Sequence, residues 1–487
     1  MIDQTPIYSA MCQYLAEDNL RLHMPGHIGG LGMVAALQAV AALDLTEVPG
    51  LDDFHLPRGV IEQSQRLMAG AAGAEESFFL VNGASSGIHA LIMSVAGEGE
   101  HILLPRNAHR CFYGGMVLSG ALPVYLPCQI DAEMGLALSV NSVEVDQCLS
   151  DNPKVKAVFI TSPSYFGTCS NIGAIVEVSK RYDKSVLVDE AHGGHFPFHP
   201  AYPAPALQQG AMAAVNGLHK TWPVLNQGAC LHLKQGFTER EQLRQAISLL
   251  TTTSPSYPLL ASIELARLFM EQEGAAQLEK AWLWSREYKE KINRIKGLRC
   301  YGDELMDKPG VNGLDPLKVL ISIPELGLSG TQLGSILRGK YHIQLELENE
   351  QMIMAMFSPL HEKADWERFY LALLEIAGRY TGRPKEPLRV EAPPDAKVVL
   401  SPRQAFWAAK RQVPLEESRG LISGEMIAAY PPGIPCLLPG ERITEAVLDY
   451  LYYLRIIDAH LQGPEDVNLK YLRVIDEDNP TGKRTTI

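Results

Sequence analysis

The chain has 487 residues, 46% of them hydrophobic and 20% charged, which is a soluble globular composition with length for more than one domain. A net charge of −13 and an isoelectric point near 5.6 argue against nucleic acid and anionic membrane as partners. Eight scattered cysteines without a CxxC spacing, an acid-bearing N-terminus without a signal-peptide pattern, and no apolar run near the roughly 18 residues of a membrane span point to reduced thiols and a cytoplasmic protein.

Residues 2–20 read as one amphipathic helix, with Tyr8, Met11, Cys12, Leu15 and Leu20 near one face. HMPGH and the glycines after it make residues 21–30 a loop, and 43–61 is an irregular, acidic, proline-punctuated segment of the kind that often carries function. Residues 62–75 read as a helix and Phe78–Val81 as a strand. That strand runs into Asn82-Gly83-Ala84-Ser85-Ser86-Gly87 and the helix IHALIMSVAG. A strand, a small-residue loop and a helix N-terminus form an anion cradle, because backbone N–H groups and the helix dipole converge there; an ordinary tight turn is the alternative.

Strands and helices then alternate. HILLP (101–105) leads to Arg106-Asn107-Ala108-His109, residues 111–119 read as a helix, and LPVYLP (122–127) and VKAVFIT (155–161) as strands. TSPSYFG follows, then the helix IGAIVEVSKRY, two further strands ending near Asp189 and Lys220, and one more at 228–233. This is the pattern of a doubly wound, mostly parallel sheet with right-handed crossovers. After the polar loop TTTSPSYPLL (251–260), one long helix is expected over 261–295, and from GLRCYG (297–302) onward stricter alternation suggests a smaller α+β domain. EPLRVEAPPDAKVVLSP (386–402) reads as a boundary before a last section that includes EMIAAYPPGIPCLLPGE, and the final residues look frayed.

The stretch from Val186 to Lys220 carries the chemistry. An apolar run stopped by Asp189 and Glu190 reads as a buried parallel strand, and a second run, Ala211–Val215, leads to Asn216-Gly217-Leu218-His219-Lys220. Chemistry in open α/β sheets gathers beyond the carboxyl ends of the strands, so Asp189 and Lys220 are expected close together. A lysine can form a Schiff base with an aldehyde, and a buried carboxylate can hold a pyridine nitrogen protonated. Those are the two protein groups that pyridoxal 5'-phosphate (PLP) most needs. Three other readings stand beside this one: a structural ion pair; the helicase-like box VDEAH, which would need an upstream GxxxxGK[ST] loop that is missing from the sequence; and a metal site at His192, His195 and His199, for which no completing Cys or His set is found, so no metal is expected.

HMPGH, DDFHLP, NGASSG, PRNAHR, TSPSYFG, VLVDEAHGGHF, HKT with NQGA, TTTSPSY, EMIAAYPPGIP with PGE, and GPED occur in that order. Together they resemble the bacterial ornithine/lysine/arginine decarboxylase family of fold-type I PLP enzymes, over about residues 5 to 476. The similarity is to short forms such as the Gram-positive biosynthetic arginine decarboxylases, because HMPGH arrives too early for an N-terminal wing domain. The resemblance implies an aspartate-aminotransferase-like PLP-binding large domain at 61–296, preceded by an N-terminal helix and active-site or dimer loops at 1–60. A small α+β domain at 297–390 and a C-terminal family domain at 391–487 would follow. It also implies roles: Lys220 as the Schiff-base lysine, Asp189 on the pyridinium nitrogen, and His109 stacked on the ring. Ala84, Ser85, Ser86 and His219 would lie about the phosphate, and His192 near the ring or its phenolate side, with His192 or Lys220 returning a proton to Cα.

The expected activity is carbon–carbon lyase chemistry, conversion of a basic L-amino acid to its amine and CO2. Arginine to agmatine, as in polyamine biosynthesis, is favoured over lysine or ornithine. Aminotransfer, β-elimination and a catalytically silent homologue are the rival readings. Asp52, Asp53 and Glu425 are candidates to meet the distal cation, from this chain or a neighbouring subunit of a homodimer or dimer of dimers. The sequence departs from the family pattern at Ile28, Asn171, Asn216-Gly217-Leu218, Asn226-Gln227 and Gly424.

Overall fold

A computed structural model describes residues 4–127, 129–131, 134–380, 393–429 and 434–477. The expected boundary at 390, the YPPG of the YPPGIP segment, Cys128 and most of the C-terminal tail lie outside these residues.

Seven strands make the central sheet: β1 (Glu76–Leu80), β2 (His101–Pro105), β3 (Leu122–Leu126), β4 (Val155–Thr161), β5 (Ser185–Asp189), β6 (Ala213–Asn216) and β7 (Ala229–Leu233). Their order is β1-β7-β6-β5-β4-β2-β3. The pairs from β3 to β6 are parallel, and β7 alone runs antiparallel to both its neighbours. The inner strands carry near-continuous apolar runs because both faces are covered, with polar residues confined to their ends and to Lys156. Phe159 and Leu187 pack against the helices Gly83–Val95 and Cys111–Ser119, while Val158, Ile160, Val186 and Val188 pack against Ser142–Asp151 and Ile172–Lys180 on the other face.

The N-terminal helix is shorter than the apolar pattern suggests, Pro6–Ala16. Pro6 occupies its first turn, where a missing N–H costs nothing. Its buried face is Pro6, Ile7 and Met11, whereas Cys12 and Leu20 are exposed. The helix Ala35–Ala42 was not anticipated. The long helix expected over 261–295 is instead Tyr257–Phe269, a π-helical turn at Met270–Gly274, and Ala275–Asn293.

These helices join the N-terminal helix and a four-stranded antiparallel sheet in one apolar cluster. That second sheet contains Lys318–Ser322 and Met352–Met356. The last region forms short antiparallel ribbons around the helix Glu445–Ile456 with its own core. It is fastened to the end of β2 by the Arg106–Glu441 ion pair. Arg106 Nη2 donates to Oε2 at 2.8 Å and Nε to the Pro435 carbonyl at 3.0 Å.

Candidate active site

The ends of the parallel strands open into a cleft of about 1560 Å3, walled on its far side by the segment around Glu346 and by the C-terminal region. Pro105, Thr161, Asp189 and Lys220, each at or just beyond a strand end, all line it.

Lys220 closes a short 3-10 turn, Leu218–Lys220, immediately after β6. Asp189 is the last residue of the adjacent β5 and is 5% exposed. Ala191 N–H donates to its Oδ1 at 3.1 Å, and no cation lies within ion-pair distance of the carboxylate among the described residues. Burial pushes its pKa up, against the pull of the Lys220 and His109 charges. Burial holds the Lys220 amine below its ordinary value, opposed by Asp189, Cys111 and Glu346. His192 Nε2 lies 3.0 Å from Lys220 Nζ.

The cradle motif sits at the start of the helix Gly83–Val95, where Gly83 takes φ +78°. Gly87 lets this end of the helix settle onto the sheet: a Cβ there would come within 2.6 Å of Leu80. Ala84 and Ser85 face the cleft. Ser86 does not line it; its hydroxyl is buried and donates to the Gly83 carbonyl at 2.8 Å. His109 and His219 both line the cleft, with His219 Nδ1 3.0 Å from the Gly228 carbonyl.

A buried, unpaired carboxylate, a neighbouring amine of lowered basicity and an open helix N-terminus in one cleft suit PLP: one group each for a pyridine nitrogen, an aldehyde and a phosphate. Among the described residues no cluster of His, Cys, Asp and Glu could hold a metal ion. His195 is instead buried against Asp315 at 3.3 Å, and His199 pairs with Glu279 at 2.7 Å.

The three acids expected at the substrate's distal end do not line the cleft in this chain. Asp52 accepts from the backbone N–H groups of Asp53, Arg58, Gly59 and Ile61, which outweigh burial and lower its pKa. Asp53 accepts from His55 and Leu56 N–H. Glu425 is 8% exposed and accepts from Glu465 and Arg473 N–H. Besides Asp189, the acids that line the cleft are Glu346, Glu348, Glu350 and Asp458, and Tyr165 O–H donates to Glu346 Oε1 at 2.7 Å.

Lys318 went unread in the sequence. It is 3% exposed, with Nζ 3.1 Å from His192 Nδ1. Of the departures from the family pattern, Asn171 caps the helix Ile172–Lys180 by accepting from Ala174 N–H at 2.9 Å, work that Asp does equally well. Asn216 is buried and donates to the Glu190 carbonyl and carboxylate.

Residues 5–365 match the family described as Orn/Lys/Arg decarboxylase, major domain, and residues 390–468 match its C-terminal domain. The chain is 36% identical over 486 residues to an arginine decarboxylase of Bacillus subtilis, covering 97% of this chain and 98% of that protein. It is 36% identical over 482 residues to an arginine decarboxylase of Halalkalibacterium halodurans, covering 98% of each. Among solved structures, the Francisella novicida lysine decarboxylase superposes with a TM-score of 0.83 at 22% identity, covering 97% of this chain and 81% of that one. The fold extends to a ureidoglycine-glyoxylate aminotransferase of Bacillus subtilis, with a TM-score of 0.54 at 14% identity over 68% of this chain and 88% of the other. The chain therefore belongs to the Orn/Lys/Arg decarboxylase family of fold-type I, PLP-dependent lyases.

Proposed function

We propose that this chain decarboxylates arginine to agmatine, a step of polyamine biosynthesis, at the cleft where Lys220 and Asp189 end adjacent strands. That juxtaposition is the observation that carries the reading of the site. Lys220, Asp189, His109, His219 and the helix end at Gly83–Ser85 would hold PLP, which supplies a conjugated cationic ring that accepts the electron pair released as CO2 departs. Asp189 keeps the proton on the pyridine nitrogen, because a buried carboxylate gains most from an opposing cation. His109, which lines the cleft, would pack against the ring. Lys220 or its hydrogen-bonded neighbour His192 returns a proton to Cα.

The substrate's distal cation is met by acids of the cleft, with Glu346 foremost, since Tyr165 fixes its orientation. Arginine is favoured by the names of the relatives at 34–36% identity over nearly the whole chain, and by the bidentate match of guanidinium to carboxylate. The domain reading divides the chain at 60, 296 and 390. A homodimer or dimer of dimers is supported by an exposed apolar run in the N-terminal segment, with Leu22 88%, Leu31 71% and Val34 67% exposed. A cytoplasmic location is supported by the seven described cysteines, all free. Among the described residues, no helix is long and apolar enough to cross a membrane.

The test is product analysis with PLP and each of arginine, lysine and ornithine. CO2 with agmatine, and kcat/KM at least tenfold higher for arginine, is expected. A preference for lysine or ornithine would overturn the substrate assignment, and a keto acid in place of an amine would overturn decarboxylation.

A further inference from the structure

Lys318 begins the strand Lys318–Ser322, far in sequence from every recognised motif, yet its Nζ reaches the reacting lysine through one side chain. His192 stands between the two amines, with Nδ1 3.1 Å from Lys318 Nζ and Nε2 3.0 Å from Lys220 Nζ. The position is built. The stem of Lys318 lies against Gly167 in the TSPSYFG loop, where a Cβ would come within 2.7 Å of it, and the loop is tied down by Asp315 N–H donating to the Gly167 carbonyl at 2.8 Å. Tyr165 of the same loop stands edge-on to the His192 ring at 5.5 Å.

A neutral imidazole has one N–H and one lone pair. Set between two amines, it accepts at one nitrogen and donates at the other, so the two amines meet it in opposite senses. We propose that Lys318 is a positioning residue that donates to His192 Nδ1 as an ammonium, fixing the Nε2–H tautomer, which in turn donates to Lys220 and holds it as the free amine whenever it is not bound to cofactor.

Geometry assigns the donor role to Lys318, and the surrounding charges its protonation. Its Nζ also donates to Met356 Sδ at 2.8 Å, a group that only accepts. Asp315 and Glu346 favour its charge, while Lys220 opposes it. Burial brings its pKa down to about 8, which leaves it protonated at neutral pH. His192 is held well below its ordinary value, first by burial and then by the charges of Lys318, Lys220, His109 and His195, so it stays neutral. Lys220 faces Asp189, Cys111 and Glu346, which favour its protonation, and burial outweighs them. Removing the Lys318 charge and the fixed tautomer would let Asp189 prevail.

The inference rests on Lys220 being the cofactor lysine, but its test uses apoenzyme and is decided separately from the decarboxylation assay. Apoenzyme is labelled with acetic anhydride across a pH series, and acetylation of the Lys220 peptide is followed by mass spectrometry. The Lys318→Met midpoint should rise by one pH unit or more, and uptake of added PLP at pH 7, followed by absorbance, should slow about tenfold, since each unit of pKa is tenfold in free amine. Lys318→Arg should keep the midpoint within a few tenths of a unit. A folded Lys318→Met protein with an unmoved midpoint would overturn the proposal, including when its activity or stability falls, because a merely structural role would not move the midpoint. Wild-type apoenzyme gives an independent reading: 15N spectra of labelled histidine, assigned with His192→Gln, should show the Nε2–H tautomer of His192 at pH 7. The Nδ1–H tautomer would reverse the assignment and sink it.

Discussion

A carboxylate buried without a cation is costly unless a ligand supplies one, and Asp189 is such a group at the floor of the cleft. Asp189→Ala should still admit PLP, with turnover falling roughly 10³-fold as the pyridine nitrogen loses the group that keeps it protonated. A near-normal kcat would remove Asp189 from that role. Glu346→Gln should lower kcat/KM for the cationic substrate about 30-fold, the lower end of the cost of truncating one partner of a close charge pair, and change it little for an uncharged analogue of the same length. Equal losses on both would show that Glu346 does not meet the distal charge. Lys220, Asp189, His109 and His192 were legible because each sits in a short motif beside a strand end. Glu346 and Lys318 were not, because they come from a second sheet and its margin and look like ordinary strand residues in sequence. A lysine opening an otherwise apolar run was the one available signal for Lys318. Within this chain Asp52 and Asp53 accept from backbone N–H groups of their own segment, as acids in irregular segments commonly do.

At the scale of elements, β2 carries an unusual load, because Arg106 at its end holds the C-terminal region over the cleft. Glu441 is 2% exposed and also accepts from Leu438 N–H at 2.7 Å, so Arg106→Ala leaves it buried without its cation. The expected loss is about 3–5 kcal/mol of stability, read as a lowered denaturant midpoint, and an unchanged midpoint would contradict the latch. His232 on β7 gives a pH signature. It is 2% exposed, lies 2.7 Å from Ser77 Oγ, and is pushed by burial down to about 4. Between pH 6.5 and 4 the unfolded chain takes a proton that the folded chain refuses, so this stability is whole above 6.5 and is lost as the pH falls, by about 3 kcal/mol in all. His232→Asn should therefore lose less Tm than the wild type between pH 7 and pH 5; parallel losses would contradict this. The sheet strands were legible because apolar runs bounded by Gly, Pro and acids recur at regular spacing. The helix Ala35–Ala42 was not, because AALQAVAA has a single polar residue, Gln38, and so no polar–apolar period to read. The π-helical turn at Met270–Gly274 was hidden because the helical pattern runs straight through it.

For the whole molecule, the order of the motifs foretold a family that the match over 5–365 and 390–468 bears out, while how copies assemble is a matter of surface. The exposed apolar side chains of the N-terminal segment predict a second subunit over them. Leu22→Glu with Leu31→Glu should shift the sedimenting species from dimer to monomer and abolish most activity, whereas a fully active monomer would contradict the expected dimer. If the reaction is organised on Lys220 at the end of β6, the cofactor must be bound to that residue, which a chemical trap reads. PLP-loaded enzyme is reduced with borohydride, digested, and its peptides are mapped by mass spectrometry. The cofactor should be fixed to the peptide that carries Lys220, and to no other in stoichiometric amount; cofactor on Lys318 or another lysine, or on none, would remove Lys220 from that role.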